Sequence, residues 1–136
     1  MQRIRREFNP PYPLIQLIGD NRWYKEETDF TWLQTQAGIA SIAKYAQGIG
    51  PWINQLISID DKGRVKITPL AALAKSENLM VHAYTLRADR LPNSIKFEEL
   101  ANLLFYQVGI DGIFTDFGNK LVKLRSKNFH KKSTIQ

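Results

Sequence analysis

The chain reads as an α/β protein, and three observations predict it. Residues 14–18, 79–86 and 110–117 are continuous apolar runs, the pattern of strands buried on both faces. Segments with apolar residues at helical spacing separate them, most clearly Phe97, Leu100, Ala101, Leu104 and Val108. The stretch GIDGIFTDFGN at 109–119 joins the two patterns. Gly109 suits the left-handed residue that closes a helix. Asp111 and Gly112 admit a tight turn into the run, and Gly118 and Asn119 one out of it. Thr115 and Asp116 then fall at its C-terminal end, the edge where barrels and open α/β sheets bind ligands.

Each element follows from local signals. Ile4 and Phe8 at i, i+4 predict a helical turn or two, stopped by NPPYP at 9–13. LIQLI at 14–18 is a strand with one polar residue, Gln16. Residues 22–35 are polar, with Trp23, Tyr24, Phe30 and Trp32 scattered through them. They predict a long loop, and loops beyond ~12–15 residues are usually functional or mobile. A lid and ordinary packing both stand as readings of it. Ile39, Ile42, Ala43 and Ala46 predict a helix over 37–46, followed by the short strand GIGP at 48–51. Its glycines suggest close backbone approach, and a lone Gly-x-Gly is no nucleotide fingerprint. Residues 52–59 continue apolar and 60–63 form a turn. Thr68 as N-cap and Pro69 as N1 start a helix with Leu70, Leu73 and Ala74 inside and Asn78 at C′. A charged loop, 87–92, follows the strand 79–86; then come the helix 97–108, the strand 110–117, a helix over 120–124 and a polar tail.

At 136 residues, 43% hydrophobic and 24% charged, the chain suffices for one ordinary domain. No apolar run approaches the ~20 residues of a membrane span. The basic start MQRIRR leads into Glu7, Asn9 and prolines, which is no signal peptide. Cysteine is absent, so thiolate chemistry is excluded and the compartment stays open. The net charge of +6 is concentrated near the ends, where only Phe8 and Phe129 are aromatic. That argues for solvated helix faces and against a nucleic-acid partner.

Chemistry-bearing residues are few. The two histidines are His82, within an apolar strand, and His130, in the basic tail. His82 reads as a hydrogen-bonded core group or, less simply, a catalyst. No HExxH or Gly-x-Ser-x-Gly pattern occurs. Asp116 either caps the following helix or offers one oxygen ligand to a metal. Arg87, at a strand's C-terminal end, either holds a phosphate or pairs with Asp89.

Four segments in order, LIQLIG, YAQGIGPWINQLI, LMVHAYTLRADRLP and GIDGIFTDF, resemble the C-terminal series of bacterial periplasmic glycerophosphoryl diester phosphodiesterases: LVQLI, YADGIGP, VHPYTVR with a charged loop and LP, and GLFTDFPD. RIRREF resembles the family's preceding helix, so the likeness runs over residues 3–124. It implies a (β/α)8 barrel of the phosphatidylinositol-phospholipase-C-like type. The implied reaction is hydrolysis of glycerophosphodiesters to an alcohol and sn-glycerol 3-phosphate with a divalent cation, Ca²⁺ or Mg²⁺. In the family two histidines and the metal carboxylates belong to the N-terminal half, around HRG, ExD and HD motifs, and this sequence has no His before position 82. Such a barrel takes about 250 residues. The resemblance therefore implies the C-terminal half only, residues 1–126, truncated at the N-terminus, with a polar tail at 127–136.

On this reading no catalytic residue and no metal ligand lies in the chain. What carries over is the substrate wall: Tyr84, Arg87, Gln16, Phe114 and Asp116. Ala83 stands where the family usually has Pro, and Gly118 and Asn119 replace Pro-Asp. The chain alone is expected to be inactive, and to need a complementary N-terminal half or a homodimer. The alternative is a non-catalytic remnant that binds a phosphate or a partner. The location is periplasmic by family, and cytoplasmic if the chain is expressed as written.

Overall fold

The computed structural model describes residues 1–23, 27–92 and 95–133. Tyr24 of the aromatic stretch and the side chains from Lys127 onward, His130 among them, lie outside what is described. The elements run α1 (Gln2–Phe8), β1 (Ile15–Ile18), α2 (Phe30–Leu33), α3 (Gln36–Ala43), β2 (Gly48–Pro51), α4 (Ile53–Leu56), β3 (Ile57–Ile59), β4 (Val65–Ile67), α5 (Leu70–Ser76), β5 (Met80–Ala83), α6 (Phe97–Asn102), a π-helical segment (Leu103–Val108), β6 (Gly112–Ile113) and α7 (Gly118–Ser133).

The main sheet has the order β1-β2-β5-β6, and every neighbour is parallel. Strands that follow one another in the chain also lie side by side, with helices in the crossovers, as short apolar runs separated by amphipathic helices require. The order never reverses, so there is no switch point within the sheet. A separate antiparallel hairpin, β3–β4, sits in the β2–β5 crossover. Asp60 forms its turn by accepting the Lys62 and Arg64 N–H groups at 2.9 Å each. The turn was legible in the sequence; the strand after it, Val65–Ile67, was not, because only Val65 and Ile67 are apolar there and both are exposed.

The two faces of the sheet differ. Ile18, Ile49, Val81 and Ala83 are fully buried and pack with Ile39, Ile42, Leu56, Leu100 and Leu104 from the helices. The alternate residues face the other way, as the period of two dictates. Register pairs Ile15 with Gly48, Leu17 with Gly50, Gly48 with Met80, and His82 with Gly112. Side chains from β1 and β5 lean across the glycines. A Cβ at Gly48 would sit 2.6 Å from Ile15 Cδ1, and one at Gly112 3.1 Å from the His82 ring. Ile18 and Val81 thus sit against the helices. The uncovered face carries Leu17 and Phe114, each more than half exposed.

Several expected elements change. The strand 110–117 shrinks to Gly112–Ile113. Backbone bonds continue the pairing, with Asp111 N–H to the Val81 carbonyl and Phe114 N–H to that of Ala83. The chain leaves the sheet at Thr115, whose hydroxyl donates to the Leu86 carbonyl at 2.6 Å and accepts the Phe117 N–H at 3.0 Å. Thr68 is not the N-cap. Its hydroxyl donates to the Gln55 carbonyl at 2.6 Å, and Pro69 occupies the cap. The helix 97–108 forms, but its second half is π-helical and ends on Gly109 at φ 78°. The last helix starts at Gly118 and runs on to Ser133, through most of the expected tail.

Candidate functional site

Parallel strands leave their C-terminal ends on one edge, and here that edge gathers the aromatic and cationic side chains. The backbone after β1 turns at Gly19 and Asp20, after β2 at Trp52, and after β5 at Tyr84 to Arg87. Tyr84 reaches across the sheet. Its hydroxyl donates to the Ile18 carbonyl at 2.7 Å, while its backbone bridges to Trp52. Trp52 meets Trp23 edge-to-face, with ring centroids 5.1 Å apart and planes at 61°.

Two adjoining clefts open on this edge, divided by Trp52 and Asn54. One, of about 480 Å³, is walled by Trp23, Trp52, Tyr84, Arg87 and Arg90. The other, of about 590 Å³, is polar and includes Asp20, Arg22, Gln34 and Asn54. Both fall within the size range of small-molecule sites.

Arg87 pairs with Asp89 through two bonds, of 3.0 and 2.7 Å, and lies 3.9 Å from Asp116. The two readings of Arg87 therefore resolve toward the ion pair. The Arg87 hydrogen bonds hold the Asp89 carboxyl below its usual range, and Asp89 in turn raises Arg87. Among the described residues no ion pair reaches Arg90, three positions further along the same loop. Arg90 and Trp52 were missed as site residues. The signal available for Arg90 was a second arginine before Leu91 and Pro92 in a loop leaving a strand end.

In the first cleft's neighbour, Asp20 accepts two bonds from the Arg22 guanidinium, at 2.9 and 2.5 Å. Those bonds bring its carboxyl down to about 2. Asn21 then ties the aromatic stretch down, donating to Asp29 at 3.0 Å and accepting the Phe30 N–H at 2.7 Å. Asp29 caps α2 by accepting the Trp32 N–H. So the stretch 22–35 is not a bare loop. In its described part it carries α2 and is packed onto the end of β1.

Of the expected wall residues, Tyr84 and Arg87 line the cleft. Phe114 lies on the uncovered face at the β6 end and is 54% exposed. Asp116 sits beside Arg87 and does not cap α7, where Asn119 accepts the Lys120 N–H instead. Gln16 does not join the site. It lies mid-strand on the helix-facing side, accepting from the Tyr45 hydroxyl at 3.0 Å and donating to the Leu17 carbonyl. His82 is half-buried on the uncovered face against Gly112, and no hydrogen bond to its imidazole occurs among the described residues. The hydrogen-bonded core histidine is thereby corrected.

The described residues do not fit a divalent cation, since no three His, Asp or Glu side chains cluster among them. No helix among the described residues is long and apolar enough to cross a membrane.

Comparison with known proteins adds the decisive observation. The sequence profile of the glycerophosphoryl diester phosphodiesterase family matches residues 1–120. This chain belongs to that family. It is similar to a glycerophosphodiester phosphodiesterase of Treponema pallidum (strain Nichols), 31% identical over 144 residues, covering 93% of this chain and 40% of the relative. A relative of the same name from Haemophilus influenzae is 28% identical, over 86% of this chain and 37% of its own length. One from Arabidopsis thaliana is 32% identical, over 80% and 31%. The chain thus spans about two-fifths or less of the length of these relatives. Its α/β architecture and parallel main sheet agree with the family.

Proposed function

We propose that this chain forms the C-terminal half of a phosphatidylinositol-phospholipase-C-like (β/α)8 barrel and supplies the substrate wall of a glycerophosphodiester phosphodiesterase. The reaction is hydrolysis of a glycerophosphodiester to an alcohol and sn-glycerol 3-phosphate. The observation that carries the proposal is the cleft at the C-terminal strand edge, with Tyr84 anchored across three strands and Arg87 and Arg90 beside it. A guanidinium recognises phosphate oxygens bidentately. Arg90 is the group for the diester phosphate, because Arg87 is already engaged by Asp89. Tyr84 and Phe114 complete the wall. The general acid and base, and the carboxylates for Ca²⁺ or Mg²⁺, come from preceding β/α units on another polypeptide or another part of a longer one.

Four parallel strands in sequential order suit this role, since a barrel of eight closes only when both sheet edges find partners. The test is complementation. The part of the Haemophilus influenzae relative that precedes its match to this chain is co-expressed with it. Metal-dependent release of glycerol 3-phosphate from the co-purified complex is expected, with little from either piece alone. Arg90→Ala should lower the regained kcat/KM at least tenfold. A stable complex without activity would overturn the split-enzyme reading and leave a phosphate- or partner-binding role.

A further inference from the structure

Four contacts close a ring where β1 and β2 end, and one side chain makes two of them. The Gln55 amide accepts the Trp52 N–H at 2.8 Å and donates to the Gly19 carbonyl at 2.7 Å. Trp52 follows β2 and Gly19 follows β1, so this amide ties the two strand ends together. From Gly19 the chain turns tightly, and the Trp23 N–H donates to the Asp20 carbonyl at 2.9 Å. The Trp23 ring then meets Trp52 edge-to-face. We infer that Gln55 is a positioning residue of the candidate cleft: it holds both Trp52 and the turn that carries Trp23, and so sets the indole wall. What lies against that wall rests on the reading just given; how the wall is held does not.

Helix capping accounts for only one of the two bonds. Gln55 is the third residue of α4, where a Gln or Glu side chain can satisfy the N–H of the residue before the helix. The bond to Gly19 lies outside that role. It needs a donor on the same group, which an amide has and a carboxylate lacks. Gln55 is half-buried, and the Thr68 hydroxyl fixes its backbone carbonyl at 2.6 Å. The next carbonyl along β1, that of Ile18, is held by the Tyr84 hydroxyl at 2.7 Å. Side chains from later elements thus take up two successive carbonyls at the β1 end.

Gln55→Glu in the full chain separates the two bonds. It keeps the acceptor for Trp52 and loses the donor to Gly19 until its carboxyl is protonated. Circular dichroism reads the Trp23–Trp52 pair as coupled indole transitions, which Trp23→Phe assigns by removing them. At neutral pH Gln55→Glu should lose most of this couplet with its helix signal unchanged. It should regain the couplet as the pH falls through about 4.3. The charged groups that face Gln55 from the turn after β1 are Asp20 and Arg22, while Trp52 and Thr68 are uncharged. The Asp20 carboxyl sits at about 2 and Arg22 is raised by it, so neither changes charge there and the parent should stay flat. Gln55→Met loses both bonds without adding charge, and calorimetry reads its binding. Inorganic phosphate should bind it as it binds the parent, and glycerophosphoglycerol, with two ester arms to meet the wall, several-fold more weakly. A parental, pH-independent couplet in Gln55→Glu overturns the inference. So does loss of the helix signal that acid does not restore, which marks capping alone, or unchanged diester affinity in Gln55→Met. If the parent binds neither phosphate nor diester, the proposed function falls, and the couplet still decides how the wall is held.

Discussion

The two faces of the main sheet have different fates. On the helix side Ile18, Ile49, Val81 and Ala83 have no exposed surface, and helices cover them completely. On the other side Gly48, Gly50 and Gly112 alternate with Ile15, Leu17, Met80 and His82, and Leu17 and Phe114 lie open. The first face is a completed core. On the second, side chains lean over glycines and no helix covers them among the described residues. The difference teaches which face of this sheet is closed by the chain's own helices and which is left open among the described residues.

The largest effect should come from emptying the completed face. Ile49→Ala removes a fully buried side chain from the middle of the sheet, and such deletions cost about 2–5 kcal/mol. Leu17→Ala, one strand away on the open face, should cost less than about 1 kcal/mol. Urea unfolding of the two variants checks the contrast. Equal losses would mean that the open face is already covered in solution.

Next in size is the effect of adding atoms. Gly48→Ala would place its Cβ 2.8 Å from the Met80 carbonyl oxygen, which is backbone and cannot yield. Gly50→Ala meets the end of the Leu17 side chain at 2.5 Å, and Leu17 has open space to swing into. Overpacking costs typically about 1–3 kcal/mol. Gly48→Ala should fall at the upper end and Gly50→Ala at the lower, with Leu17→Ala removing most of the Gly50→Ala cost. A high cost at Gly50 that Leu17→Ala cannot relieve would show the open face to be filled in solution.

Association is the direct reading of the open face. Among the described residues β1 and β6 each have one strand neighbour, and unpaired strand edges template pairing. Light scattering should give a mass above the 15.7 kDa of one chain. Leu17→Asp combined with Phe114→Asp should shift it toward the monomer. A wild-type monomer with a sharp cooperative melt would mean that the open face stands uncovered in solution.

The fold was legible in the sequence wherever a residue's own chemistry decided its conformation. Gly109 and Asn78 take the left-handed positions expected of them, at φ 78° and 57°. GIGP is the strand its spacing suggested, and its glycines do mark close approach. What failed depended on partners distant in sequence. Nothing local to LIQLI says which way Gln16 points; that is set by Tyr45, 29 residues on. Thr115 ends its strand early because of the Leu86 carbonyl. The site followed the same division. Tyr84 and Arg87 were legible at a strand end. Trp52 and Trp23 came to wall the candidate cleft only when the fold brought them together.

The smallest effect lies at the β1 rim, where the two faces meet. Asp20 follows buried Ile18 by two residues, and its carboxyl sits at about 2 because Arg22 holds both oxygens. An unfolded chain would release that pair and return the carboxyl to about 3.8. The folded form therefore binds its proton less readily than the unfolded form. The stabilisation is fully present above pH 3.8 and fades as the pH falls through 2. Carbon NMR of the Asp20 carboxyl should show a midpoint near 2, and Arg22→Ala should move it up toward 3.8. In thermal melts Asp20→Asn should differ slightly from the parent at pH 5, and the difference should shrink as the pH falls through 2. Arg22 is exposed, so solvent keeps the effect well below that of Ile49→Ala. An Asp20 midpoint that stays near 3.8 in the parent would show that the Arg22 fork is not closed in solution. The rim of β1 would then belong with the open face rather than with the completed one.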